Sequence, residues 1–292
     1  MPEPIPYIFF GSAIASVHLL NELAKLGSKP TFIVTTPDKP ADRLALTPTP
    51  VKVWANEHGI PVTTPDKLDE EFIKELRTYD CPVYIVAAYG KIIPQAVIDI
   101  PKRGALNIHP SALPLYRGAT PLQSSMLDDT KETAVSIILI DSLMDHGPIV
   151  AQEPVTIKEW PIYEEFEKMM FERGAKLLVS ILPDWVSGKT HGYEQDHTRA
   201  TFTKKITKED GLVDYADITS DSPKVQYDIY RKIQAFHLWP TVYFFIPASN
   251  SNTKKIRVKI THAYWHNNTL IIDKVIPEGR KEMDYEIFLR NI

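Results

Sequence analysis

The chain has 292 residues, 43% hydrophobic and 24% charged, with a formal net charge of −4, a balance that excludes a disordered or strongly basic protein and leaves room for two modest domains or one large one. No apolar run approaches the ~20 residues of a membrane span, and the opening Met-Pro-Glu-Pro-Ile-Pro lacks the basic and apolar regions of a signal peptide. One cysteine, Cys81, excludes an internal disulfide and a cysteine-based zinc cluster, as expected of a cytoplasmic chain.

Tyr7–Phe10 is an apolar run closed by Gly11, and Val17, Leu19, Leu20, Leu23 and Leu26 then recur at helical spacing. This predicts a strand and a helix over Ala13–Leu26. Thr31–Thr35 reads as a second strand. The proline-rich stretch Pro37–Pro50 is longer than an ordinary connection and reads as a functional flap or a disordered connection. A helix over Val51–His58, a short strand at Val62, a helix over Lys67–Thr78 and a buried strand over Val83–Ala88 follow. Cys81, beside that last strand, reads as a small buried hydrophobe. Short helical material near Pro94–Ile98 leads to a strand from Ala105. Strand–helix alternation predicts a mainly parallel sheet with helices on both faces and ligands beyond the carboxyl ends of the strands. Ala88–Gly90 and Asn107–His109 fall at such ends. Neither G-x-G-x-x-G nor G-x-x-x-x-G-K-[ST] occurs, so dinucleotide and P-loop binding have no support.

Further on, Asp141–Gly147 is a loop between two apolar strands, Ile162–Leu182 reads as a long helix, and the polar Ser187–Thr198 reads as a linker. Gly211–Phe236 holds a turn and a helix. Strands over 242–246, 256–265 and 269–275 suggest a small β-barrel. From Lys204 to Ile292 there are 14 Lys and Arg against 11 Asp and Glu, a mild basic excess that hints at a polyanionic partner.

Asn107 and His109 are two residues apart on an extended backbone and so project to one face. An amide and an imidazole side by side at a strand end can hold and protonate an oxygen, and Asp145 is the natural partner for the ring. Singly, each has an ordinary reading as a turn asparagine, a solvated histidine or a hairpin aspartate. Their order and surroundings make Asn107, His109 and Asp145 the expected catalytic trio.

Further sequence blocks extend this reading. Asn107-x-His109-Pro-Ser-x-Leu-Pro-x-Tyr-Arg-Gly118 continues into Ala119–Gln123. Val86–Gln95 lies upstream of it, and Pro37–Arg43 with Thr47–Lys52 forms the flap. In the tail stand Ile233–Pro240, Pro277–Met283 and Phe288–Arg290. Together these resemble the methionyl-tRNA formyltransferase family over nearly the whole chain. The resemblance implies 10-formyltetrahydrofolate as formyl donor, the α-amino group of initiator methionyl-tRNA as acceptor, and no metal. It implies an α/β Rossmann-like formyltransferase domain over 1–188, a linker over 189–206, and a shortened OB-like β-barrel domain for tRNA over 207–292. Tyr89, Gly90, Ser111, Leu113, Pro114, Arg117 and Gly118 would bind the donor. Lys39, Arg43, Lys204 and Lys205 would touch tRNA, with Lys254, Lys255 and Arg257 as further candidates. His146 is expected to be a loop residue. A monomer is expected.

The chain departs from the family pattern in places. Gly11-Ser-Ala-Ile-Ala15 puts Ala15 where an aromatic linked to methionine selection is usual, and Leu115 replaces a common basic residue. Only 36 residues separate Pro240 from Pro277, which predicts a barrel short of a strand pair. Two other readings keep the same core: a formyltransferase acting on an amino-sugar nucleotide, and a non-catalytic folate- or RNA-binding relative.

Overall fold

The apolar runs of the first third become parallel strands, each returned by a helix. In the computed structural model, which describes residues 4–40, 46–248 and 251–290, β1 (Tyr7–Phe10) is wholly buried and passes through Gly11 into α1 (Ile14–Lys25). A side chain at Gly11 would lie 2.9 Å from the Ala87 carbonyl, so glycine permits that close turn. β2 (Phe32–Val34) follows, then the short paired strands β3 (Lys39–Pro40) and β4 (Leu46–Thr47) within the flap. α2 (Pro50–Glu57) begins on a proline with the Thr49 hydroxyl accepting from the Lys52 N–H. After β5 (Val62–Thr63), α3 (Glu70–Arg77) begins with the Asp69 carboxylate accepting from the Phe72 N–H. Each cap satisfies one N–H that the first helical turn leaves open. β6 (Val83–Val86), α4 (Gln95–Ile98) and β7 (Ala105–His109) complete this stretch.

α5 (Pro121–Leu127), β8 (Glu132–Leu139), β9 (Ile149–Thr156) and α6 (Tyr163–Ser187) follow. The seven-stranded sheet has the order β5-β2-β1-β6-β7-β8-β9. The pairs among β5, β2, β1, β6 and β7 are parallel, and β8 runs antiparallel to β7. α6 passes so close to β7 that a Cβ at Gly174 would meet Ile108 Cγ2 at 2.7 Å. The helix also continues past its expected end at Leu182, through Pro183 to Ser187. The lost backbone hydrogen bond is offset by Trp185, which is buried, donates its indole N–H to the Arg103 carbonyl at 3.0 Å and lies under the Arg103 guanidinium. Cys81 is buried, as expected.

Two compact units emerge. The first comprises Met1–Gly118, Thr133–Thr156 and Glu167–Phe202, and the second Ala119–Glu132, Ile157–Phe166 and Thr203–Ile292. In the second unit, α7 (Tyr215–Ile218) and α8 (Pro223–Ala235) precede a four-stranded antiparallel sheet. Its strands are β10 (Tyr243–Ala248), β11 (Ser251–His266), β12 (Thr269–Pro277) and β13 (Met283–Asp284), and α9 (Tyr285–Leu289) follows. Asn267 and Asn268 have φ of 48° and 59°, the two-residue turn that matches strand twist and favours asparagine. Phe244, Val258, Ile260 and Val275 are fully buried on one face of this sheet. Buried Arg231 of α8 donates to the Met126 and Leu127 carbonyls, capping the end of α5 where no further helical turn can. Among the described residues no helix is long and apolar enough to cross a membrane.

Candidate active site

Register fixes the site. Asn107 lies opposite Val86 of β6 and Ile138 of β8, and the alternation of β7 sends Asn107 and His109 to one face. The Asn107 amide donates to Asp145 Oδ1 at 3.4 Å, and the Gly118 N–H donates to Asp145 Oδ2 at 2.8 Å. His109 Nδ1 stands 3.6 Å from Asp145 Oδ1, near but longer than a hydrogen bond. The three side chains expected from the sequence are thus brought together around one carboxylate.

One feature differs from expectation. His109 is 4% exposed, and its Nε2 lies 3.0 Å from the Tyr116 carbonyl. A carbonyl only accepts, so Nε2 carries the proton. Tyr116, at φ 60°, supplies that acceptor from the loop following the motif. The ring must therefore leave one loop carbonyl before that N–H can reach a reacting oxygen, a tightening that belongs to the substrate complex.

Asp145 sits at φ 49°, in the left-handed region that aspartate tolerates better than most residues. Two residues on, a Cβ at Gly147 would stand 1.9 Å from the Leu139 carbonyl. Gly147→Ala must push apart the bases of β8 and the loop, and is expected to cost about 1–3 kcal/mol. Urea denaturation checks this; an unchanged midpoint would show that the turn has slack.

The donor-binding candidates divide by position. Ser111 is fully buried, its hydroxyl donating to the Leu115 carbonyl at 2.7 Å and its carbonyl accepting from Ser136. Leu113 packs with Ile138 and Ile149, and the Leu113–Pro114 peptide is cis. These residues shape the loop. Tyr89 packs edge-on against Phe10 at 5.5 Å and is 3% exposed. Burial pushes its hydroxyl up to about 12, so the phenol stays neutral at physiological pH. The strand order reverses between β1 and β6, where ligands settle in such sheets. There Ala88 and Gly90 have φ of 45° and 79°, and a Cβ at Gly90 would meet nothing within 4 Å. The turn is left-handed and open at Gly90.

Arg117 points inward rather than toward open space. It is 3% exposed, and its guanidinium donates to Gln195 Oε1 at 2.7 Å and to His197 Nδ1 at 2.8 Å. The His197 ring stacks on His146 at 4.0 Å, and His146 pairs with Asp141 at 2.7 Å. His146 is thereby a brace of its loop. The polar segment expected as a linker is bonded into this region, since Tyr193 and Ile149 exchange two backbone hydrogen bonds. Gln195 and His197 escaped the sequence reading because neither lies in a periodic or motif-bearing stretch.

Of the tRNA candidates, Lys204 and Lys205 are exposed, as are Lys255 and Arg257. Lys39 forms part of β3, whereas Arg43 lies outside the described residues. Lys52, in the flap motif, pairs with Asp38 at 2.7 Å. Among the described residues no cluster of three or more His, Cys, Asp or Glu could hold a metal ion.

A family model described as formyl transferase matches residues 7–182. A methionyl-tRNA formyltransferase of Chloroflexus aggregans is 43% identical over 244 residues, 82% of this chain and 75% of that one. One from a Geobacillus species is 32% identical over 98% of this chain and 94% of that one. Among solved structures, a methionyl-tRNA formyltransferase from Clostridium thermocellum matches with a TM-score of 0.59 at 16% identity, over 97% of this chain and all of that one. An N-formyltransferase from Helicobacter canadensis, solved with folinic acid and dTDP-3-aminofucose, matches with a TM-score of 0.61 at 18% identity, over 90% and 88%.

Proposed function

The chain belongs to the methionyl-tRNA formyltransferase family, and on that premise we propose that Asn107, His109 and Asp145 carry the transfer. The enzyme moves a formyl group from 10-formyltetrahydrofolate to the α-amino group of methionyl-tRNA. The amino-sugar and non-catalytic alternatives are not favoured beside relatives of this identity and coverage.

The observation that carries the catalytic reading is the sharing of one carboxylate by Asn107, His109 and the Gly118 N–H. When the amine nitrogen bonds to the formyl carbon, the carbonyl electron pair moves onto oxygen. Asn107 Nδ2–H and, once it has left the Tyr116 carbonyl, His109 Nε2–H are the donors that stabilise that oxygen, each such donor being worth about 3–4 kcal/mol. Asp145 accepts the proton released by the amine, directly or through water. The pair on oxygen then re-forms the carbonyl as the bond between the formyl carbon and N10 breaks, and the proton taken up by Asp145 passes to N10, so atoms and charge balance over the cycle. Ala88–Gly90 borders the heterocycle of the donor, and Ser111, Leu113, Pro114 and Gly118 shape the loop beside it. Tyr89 backs the turn from the core, and Arg117 fixes the loop from within.

In the same reading, residues 1–188 carry the chemistry, 207–292 contact tRNA and 189–206 connects them. Lys39, Arg43, Lys204 and Lys205 face phosphates, and the protein works as a cytoplasmic monomer. The test is the salt dependence of KM for initiator methionyl-tRNA. Each phosphate contact contributes a log–log slope of about −0.9 to binding, so four contacts raise KM ~150-fold between ~50 and ~200 mM salt. Lys204→Ala with Lys205→Ala should flatten the slope by about 2; an unchanged slope removes these lysines from the interface.

A further inference from the structure

Gln195 lies in neither of the loops that carry the proposed trio, yet its side chain is bonded to both. Two residues before it, Tyr193 is fixed to Ile149 at the start of β9 by backbone hydrogen bonds of 2.8 and 2.9 Å. From there the Gln195 amide enters the protein and is 5% exposed. Arginine can only donate and backbone carbonyls can only accept, so the amide has one permitted orientation. Oε1 accepts from Arg117 Nε and Nη2 at 3.3 and 2.7 Å, while Nε2 donates to the Asp145 and Gly147 carbonyls at 2.9 and 2.7 Å. Both N–H bonds are used on the Asp145 loop, and the oxygen is used on the loop that follows His109.

We infer that Gln195 is a positioning residue for formyl transfer, acting through Asp145; the inference rests on the catalytic reading of Asp145 given above. Its two N–H bonds hold the carbonyls on either side of His146. They thereby fix the backbone of a residue at φ 49°, a conformation that persists only where the surroundings over-determine it. The direction of the Asp145 Cα–Cβ bond, and with it the carboxylate's place beside Asn107, His109 and Gly118, follows from that backbone. The Arg117 contact makes the constraint two-sided. Arg117 N–H is itself bonded to the Thr201 carbonyl at 2.8 Å, so one amide sets the spacing between the Asp145 loop and the Asn107–Gly118 stretch. A merely structural residue would stabilise either loop. This one ties the proton acceptor to the strand that bears the oxygen donors.

The experiment compares single-turnover and steady-state transfer to methionyl-tRNA by the full chain carrying Gln195→Met, Gln195→Glu, Asp145→Ala, and Gln195→Met with Asp145→Ala. Misplacing a reacting group by ~1 Å costs up to ~100-fold, so Gln195→Met is expected to lower kcat by ~30-fold or more while KM for donor and acceptor stays within about threefold. In the double variant the Gln195 change should add almost nothing, because its target is gone. Gln195→Met with an undiminished kcat, or an equal fold-loss with and without Asp145, would overturn the inference while leaving the catalytic reading intact. Asp145→Ala transferring at the unsubstituted rate would overturn both. Should Gln195→Met not fold, Gln195→Glu decides by the same outcomes. It keeps the length and the Arg117 partner but presents oxygen to two carbonyls.

Discussion

Asp145→Ala is expected to lower kcat for formyl transfer by ~10²–10⁴, the range for losing a positioned acid–base group, with KM for both substrates nearly unchanged. The size of the effect follows from how many groups converge on this carboxylate. It accepts from Asn107 Nδ2 and the Gly118 N–H and lies 3.6 Å from His109 Nδ1. Alanine leaves all three without that partner and removes the acceptor for the amine's proton. It is also a poorer residue at φ 49°, so some loss of stability accompanies the loss of rate. Asp145→Asn separates the two. Asparagine tolerates the left-handed backbone, but it cannot take the amine's proton and must turn either an N–H or an uncharged oxygen toward Gly118. Rate should fall nearly as far as with alanine while the denaturation midpoint recovers. A rate close to normal in Asp145→Asn would mean that the side chain serves geometry alone.

Asn107→Ala is expected to lower kcat by ~10²–10³, the cost of one donor to a developing oxyanion, again with little change in KM. Asn107 is only partly buried at the end of β7, and its side-chain hydrogen bond to Asp145 is long at 3.4 Å. Stability should therefore change by less than ~1 kcal/mol, and the loss should fall on the transition state. Asn107→Asp tests the sign of the charge. A carboxylate beside Asp145 repels both its neighbour and the developing oxygen, so it should be no better than alanine despite its matching shape. A KM effect without a kcat effect would place Asn107 in substrate binding instead.

Much of this was legible in the sequence because the informative residues are close together. Asn107 and His109 are two apart on a strand, and an apolar run with a proline stop needs no distant information to be read. The parallel sheet followed from strand–helix alternation, and its edge strand β5 from Val62. What stayed hidden depends on long-range contact. Gln195 and His197 stand about 80 residues from Arg117 in the chain, in a stretch whose polarity suggested solvent. Burial of that polarity against other polar groups leaves no hydrophobic period to find. Arg117 was expected at the donor through the family resemblance, and its inward turn requires Gln195 to receive it. The Tyr116 carbonyl on His109 is a backbone contact, which side-chain identity does not encode. α6 passed Pro183 because packing of Trp185 outweighed a local breaker.

The most direct test of the assigned trio is single-turnover formyl transfer from 10-formyltetrahydrofolate to initiator methionyl-tRNA by the unsubstituted protein, Asn107→Ala and Asp145→Ala, with folding of each confirmed by its thermal transition. Rapid transfer by the unsubstituted chain, falling by ~100-fold or more in each folded variant, is the predicted result. Transfer at the unsubstituted rate by either folded variant would contradict the assignment of chemistry to this carboxylate and its partners.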